Sequence, residues 1–247
     1  MKSLIKMTWM ETKLFLREPI GFFFTLIFPL MMLFLFGSMY GNEPLPQLNG
    51  QGTVDISVPA YTAMIIGTTS LVGLTITMAT YREKGILRRL RTTPINPFIV
   101  LLSQVVVLFM MTALGMTLLI IAGKLVYHLR FEGNAINTLI GFVLSSFSFF
   151  AIGFILAGLL PTGRTAQVVG MVLLYPMLFL SGAGYPRELL PTTIIKVSNF
   201  LPLTYVVTLL RGLWIGDPWS KHLTEVFVLV AMLVVGVVIS VKTFRWE

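Results

Sequence analysis

The sequence predicts an all-α membrane protein. Six transmembrane helices are expected, with an N-terminal interfacial helix, a short cytoplasmic helix between spans two and three, and an outer re-entrant helical hairpin. Three observations predict it. Of 247 residues, 56% are hydrophobic and 11% are charged, against about 25% charged in soluble domains. Six apolar stretches approach the roughly 20 residues that a helix needs to cross a hydrocarbon core of about 30 Å. The excess of basic residues falls in segments that one orientation places on a single side of the bilayer. The first observation excludes a soluble enzyme, and residues 1–247 read as one membrane domain.

The stretches are residues 20–40, 58–80, 97–123, 135–160, 167–184 and 223–241. Backbone polar groups have no water to bond inside lipid, so these must be helices, and the alternation of a barrel is absent. The first apolar run begins late and lacks a small-residue cleavage site, so no cleavable signal peptide is expected. With both termini in the cytoplasm, the inner segments hold twelve basic and four acidic residues, and the outer segments six of each. The whole net charge of +8 is then inside, which is a topology signal rather than a sign of nucleic acid.

Residues 1–19 place Lys2, Lys6, Lys13 and Arg17 on one narrow helical stripe. Leu4, Met7, Met10, Leu14 and Phe15 form a broader apolar face beside it. This pattern predicts a helix lying in the inner interface, with lysines reaching anionic headgroups, and Pro19 turning the chain into span one. It fits an anchor and a force-transmitting element alike. The polar stretch 41–57 reads as a mobile outer loop. Residues 81–95 carry five basic residues in a short run, with Ile86, Leu87 and Leu90 at helical spacing and Pro94 as a stop. A short helix with one apolar and one charged face suits docking on a soluble partner. Within residues 185–219, the stretch 192–215 is too apolar for a free loop and is broken by Pro202, which predicts two short helices dipping into the outer leaflet.

The sequence offers no chemistry of its own. It contains no cysteine, and His128 and His222 form no metal pair. No acid lies deep in a span, which argues against a carboxylate-coupled ion carrier. There is no GxxxxGK[ST] phosphate loop. If the chain pumps, energy must arrive from a separate subunit, through residues 81–94. Span two carries Thr62, Thr68, Thr69, Ser70, Thr75 and Thr77, and span five carries Gln167, Met171 and Tyr175. Thr69, Thr75, Gln167, Met171 and Tyr175 are the candidate substrate pathway, suited to an amphipathic cargo. Equally, the hydroxyls could bond their own helix carbonyls. Gly153 and Ala157, Ala166 and Gly170, and the run Ser181–Gly184 are candidates for close packing, within the chain or against a second copy.

Two stretches, REKGILRRLRTTPI (82–95) and LPLTYVVTLLRGLWIG (201–216), resemble the permease subunits of type-2 ABC exporters, which handle drugs and polysaccharides. The resemblance implies a dimer of permeases, homo- or heteromeric, in prokaryotic cytoplasmic membrane, above two ATPase subunits that carry ATP and Mg. This chain would bind no cofactor and would not be the ATPase. Glu83, Gly85, Leu87, Arg89, Leu90, Arg91, Thr93 and Pro94 match the family's coupling helix. Arg88 stands where many members have Glu, which bears on partner choice. Lys6, Trp9, Lys13 and Arg17 match the interfacial helix; Pro202, Tyr205, Arg211 and Gly212 match the outer gate. The expected function is export of a hydrophobic or amphipathic compound (drug, antibiotic or lipid-like). Lipid-linked polysaccharide export and a non-transport membrane scaffold are the alternatives.

Overall fold

The computed structural model describes residues 2–48, 50–91, 97–187 and 190–243. Among them the regular elements are all helices. Helix α1 (Lys2–Arg17) ends where Pro19 opens a short turn, Pro19–Phe22. Proline has no N–H to lose at a first helical position. The chain then enters α2 (Phe23–Tyr40) and returns in α3 (Thr53–Glu83). After the short α4 (Ile86–Arg91) come α5 (Pro97–Tyr127), α6 (Ala135–Leu159) and α7 (Gly163–Leu180). Helices α8 (Thr192–Ser198) and α9 (Pro202–Trp214) follow, bent 101° against each other. The last is α10 (Leu223–Thr243). Six helices, α2, α3, α5, α6, α7 and α10, are long and apolar enough to cross a membrane.

Helix α3 is the axis of the bundle. Every residue from 53 to 71 is buried, and α2, α5, α6, α7 and α9 all pack on it. Helix α10 is the opposite case: 11% of its apolar window is buried, against 72% for α3. Phe227 on α10 is exposed, a face that lipid or another chain must cover. Close approach to α3 is made by glycines. A Cβ on Gly153 would lie 2.6 Å from the Ser70 carbonyl oxygen, and one on Gly170 would lie 2.4 Å from that of Leu71. Ala157, Ala166, Ser181 and Ala183 are buried as well. These small residues therefore serve packing within the chain.

Two helices widen into π-turns, at Phe23–Ile27 and Thr68–Leu74. Pro29 lacks the N–H that the first of these turns would otherwise engage. Around the second, hydroxyls bond carbonyls of their own helix and of α6. Thr69 donates to the Ile65 carbonyl at 2.8 Å and Ser70 to that of Phe149 at 2.9 Å. Such donors are needed where no water can substitute.

At the bundle end away from α1, the stretch expected to be a mobile loop is tied down. Asn42 Oδ1 accepts the Val54 and Asp55 N–H groups at 3.0 and 3.1 Å, capping α3. Asp55 accepts the N–H of Gly52 at 3.1 Å and of Arg130 at 2.8 Å, and pairs with the Arg130 guanidinium at 3.1 Å. Trp214 Nε1 donates to the Arg130 carbonyl at 3.1 Å. This cap starts α3 at Thr53 rather than at 58, and it buries an acid in the helix's first turn.

Candidate functional site

Three regions hold the candidate residues. The first is the end of the bundle that carries α1, α4 and the turn between α6 and α7. Gly85 has φ +63°, a left-handed conformation that glycine adopts freely, and it reverses the chain between α3 and α4. Arg88 and Arg89 are exposed on α4. The Arg89 guanidinium donates to the Lys84 carbonyl at 3.1 Å, fastening the turn. Leu87, Leu90 and Arg91 lie on the same helical backbone; Thr93 and Pro94 lie outside the described residues.

Glu83 does not join this face. It ends α3, and its carboxylate accepts the Gly163 N–H at 2.8 Å, at the start of α7. Beside it, the Arg82 guanidinium donates to the carbonyls of Gly158, at 2.6 Å, and Leu160, at the end of α6. A cation on a helix C-terminus and an anion on a helix N-terminus both complement the macrodipoles. The end of α3 thus clamps α6 and α7 together.

Helix α1 packs against α5 through a stripe one residue wide: Met7, Glu11 and Phe15 are buried. Met10 and Leu14, grouped with them by periodicity, are exposed, as are Ile5, Trp9 and Leu16. Lys6, Lys13 and Arg17 are exposed too, and Lys13 Nζ sits 5.1 Å above the Trp9 ring. The outer face of α1 is therefore both apolar and cationic, as an interfacial helix requires. The Tyr81 hydroxyl lies 2.9 and 2.8 Å from the two Glu11 carboxylate oxygens and donates to them. Burial pushes the Glu11 carboxyl above its ordinary range, and that hydrogen bond opposes the shift.

The second region is a cavity of about 220 Å³ between α2, α3 and α7. Of the expected pathway residues, Thr69, Gln167, Met171 and Tyr175 line it. Thr75 does not. It is fully buried against α6, with its hydroxyl 3.1 Å from the Ser70 carbonyl and 3.3 Å from that of Gly153. Phe24, Phe28 and Met32 contribute from α2, Met64, Thr68 and Thr77 from α3, and Leu178 and Phe179 from α7. Thr68, Thr69 and Thr77 line the cavity and also donate to their own helix's carbonyls, so back-bonding does not remove these residues from the cavity wall.

The third region is the bent pair α8 and α9. Pro202 opens α9, and the Tyr205 hydroxyl donates to the Asn199 carbonyl at 2.7 Å across the bend. Arg211 and Gly212 lie at the far end of α9, over two turns away. Arg211 lines a small cleft of about 20 Å³ with Tyr61 and Tyr185. Gly212 makes room for the His222 ring, whose Nε2 would lie 2.0 Å from an added Cβ. The four gate candidates thus shape two ends of one helix and form no single cluster. His222 is buried between Asp217 and Glu225, at 3.6 and 3.8 Å. The hydrogen bond from Lys221 holds the Asp217 carboxyl below its usual range.

Sequence reasoning missed Glu11, Arg82, Asn42 and the Asp55–Arg130 pair as organising residues. Gly52 and Asp55, three apart at a helix start, carry the spacing of an N-terminal cap. The others bond partners at least 12 residues away, which no local pattern reveals.

The ABC-2 type transporter family matches residues 2–214. Among relatives, the chain is 26% identical over 225 residues to ycf38 of Cyanophora paradoxa, named as a transport permease, covering 87% of this chain and 74% of that one. It is 25% identical over 155 residues to the inner membrane transport permease YhhJ of Escherichia coli, covering 58% of this chain and 40% of that one. It is 21% identical over 160 residues to YbhR of the same organism, named a probable multidrug ABC transporter permease, covering 65% and 44%. The chain therefore spans about two fifths of the length of these E. coli relatives. With six candidate spans, a bent helix pair and a family match over nearly its whole length, this multi-pass membrane protein belongs to the ABC-2 type transporter family.

Proposed function

We propose that this chain is the membrane subunit of an ATP-driven exporter, moving a hydrophobic or amphipathic compound out across a prokaryotic cytoplasmic membrane. Its partners are a separate ATPase subunit, which holds ATP and Mg, and a second permease, in surrounding lipid. Both termini and α4 lie on the cytoplasmic side, where the positive charge belongs. The observation that carries the reading is α4: with Arg88 and Arg89 exposed, it extends the central helix α3, which lines the cavity. A partner that displaces α4 pushes on a cavity wall. Through Arg82 and Glu83 it also moves the joined ends of α6 and α7. The cargo then contributes only its differential affinity for the two arrangements. The relative named as a probable multidrug permease supports a drug as cargo.

The test is co-reconstitution with the ATPase subunit. Arg88→Glu combined with Arg89→Glu should abolish ATP-dependent transport while leaving the permease folded and monodisperse. Undiminished transport contradicts the reading. The cavity's aromatic wall of Phe24, Phe28, Tyr175 and Phe179 favours, as the second reading, a lipid-linked sugar polymer. A competition assay between such a lipid and a simple hydrophobic compound separates the two.

A further inference from the structure

Resting on the reading of the cavity as the cargo site, we infer that its occupant is a slim amphipathic cation, with its charged head at Glu18 and its apolar chain laid along α2, α3 and α7. The cavity is elongated: its α3 wall runs from Met64 to Thr77, about 20 Å at 1.5 Å per residue. Its polarity is graded along that length. Glu18, Thr77 and Gln167 gather at the end beside α1, whereas Met32, Leu178 and Phe179 form the far end. That is the layout of a site for a molecule with one polar head.

The sign of the head follows from the lining, which among the described residues holds one carboxylate, Glu18, and no Lys, Arg or His. Among the described residues no ion pair is made to Glu18. Its Oε2 lies 3.4 Å from where a Cβ of Gly21 would sit, an ordinary contact distance, so the carboxylate lies over the α2 entry. Phe15 and Phe24 stand at the same end, and aromatic faces attract a cation further. Partial burial raises the Glu18 carboxyl above its ordinary range, a penalty that a neighbouring cation relieves. The width also selects. Sites for drug-sized molecules run from about 300 to 1,000 Å³, and about 220 Å³ suits a single chain better than a fused ring system.

The test uses the full-length permease in phosphatidylcholine nanodiscs, with empty nanodiscs subtracted. Radiolabelled dodecyltrimethylammonium and dodecanol are the probes. Glu18→Gln should weaken binding of the cation about tenfold and leave the alcohol unchanged. Gly73→Leu should weaken both, because a Cβ there meets nothing nearer than 3.9 Å and the side chain fills the cavity. Thr77→Leu is the second filler if Gly73→Leu does not fold. If the fillers act on both probes but Glu18→Gln changes neither, the cationic assignment is overturned and the cargo site stands. If the fillers leave both probes bound as before, the cargo site itself is refuted. The chain has no cysteine, so Tyr175→Cys reports on a competing occupant. A Tyr175→Cys disulfide between two copies that excludes both probes assigns the cavity to a second permease and overturns the proposal.

Discussion

Glu11 is a carboxylate placed where burial and hydrogen bonding pull in opposite directions. Its carboxyl titrates above the ordinary 4.5, so the folded chain holds its proton more tightly than the unfolded chain does. That contribution to stability is fully present below about pH 4.5 and is lost as pH rises through the folded-state pKa. The apparent Tm of the purified permease is therefore expected to fall across that window. Glu11→Gln, which keeps an acceptor for Tyr81, should flatten the profile; an unchanged slope would mean that another group titrates. Asp55 gives a second prediction at this scale. Asp55→Ala removes the partner of the Arg130 guanidinium and the acceptor of two backbone N–H groups. Thermal unfolding should register a loss of about 1–3 kcal/mol, whereas a Tm within error of wild type would show the latch to be dispensable.

Helix α3 shows which parts of an element a sequence reveals. Its apolar stretch, residues 58–80, was legible from hydropathy alone. Its true ends were not, because Thr53 is set by Asn42 and Glu83 by Gly163, and both are contacts between chain segments. Likewise the start of α4 follows from Gly85, while the inward turn of Glu83 depends on where α7 begins. The clamp makes a prediction of its own. Arg82→Ala should leave the ATPase subunit bound and active but lower the amount transported per ATP hydrolysed, since α6 and α7 no longer follow α3. Equal losses of binding and transport would instead put Arg82 at the docking face. Gly85→Ala forces a Cβ into a left-handed turn, for a penalty of about 1–2 kcal/mol. It should weaken association with the ATPase subunit in a pull-down.

For the whole molecule, composition and charge sufficed to predict a helical membrane bundle with one basic end. What they could not give is which helix lies at the centre, since every span reads as apolar and only packing separates α3 from α10. The glycine and alanine candidates show the same limit: Gly153 and Gly170 looked equally suited to a partner helix until the Ser70 and Leu71 carbonyls were found against them. The cavity was half legible, with Thr69, Gln167, Met171 and Tyr175 on its wall, Thr75 behind it and Glu18 unforeseen. The most direct measurement exploits the lack of native cysteine: a single cysteine at Arg88 or at Phe200, at opposite ends of the bundle, cross-linked in membranes with the ATPase subunit present. Work delivered at α4 predicts an adduct with that subunit from Arg88→Cys and none from Phe200→Cys. Labelling of Arg88→Cys by an impermeant reagent from outside the cell, with no adduct, would contradict the account.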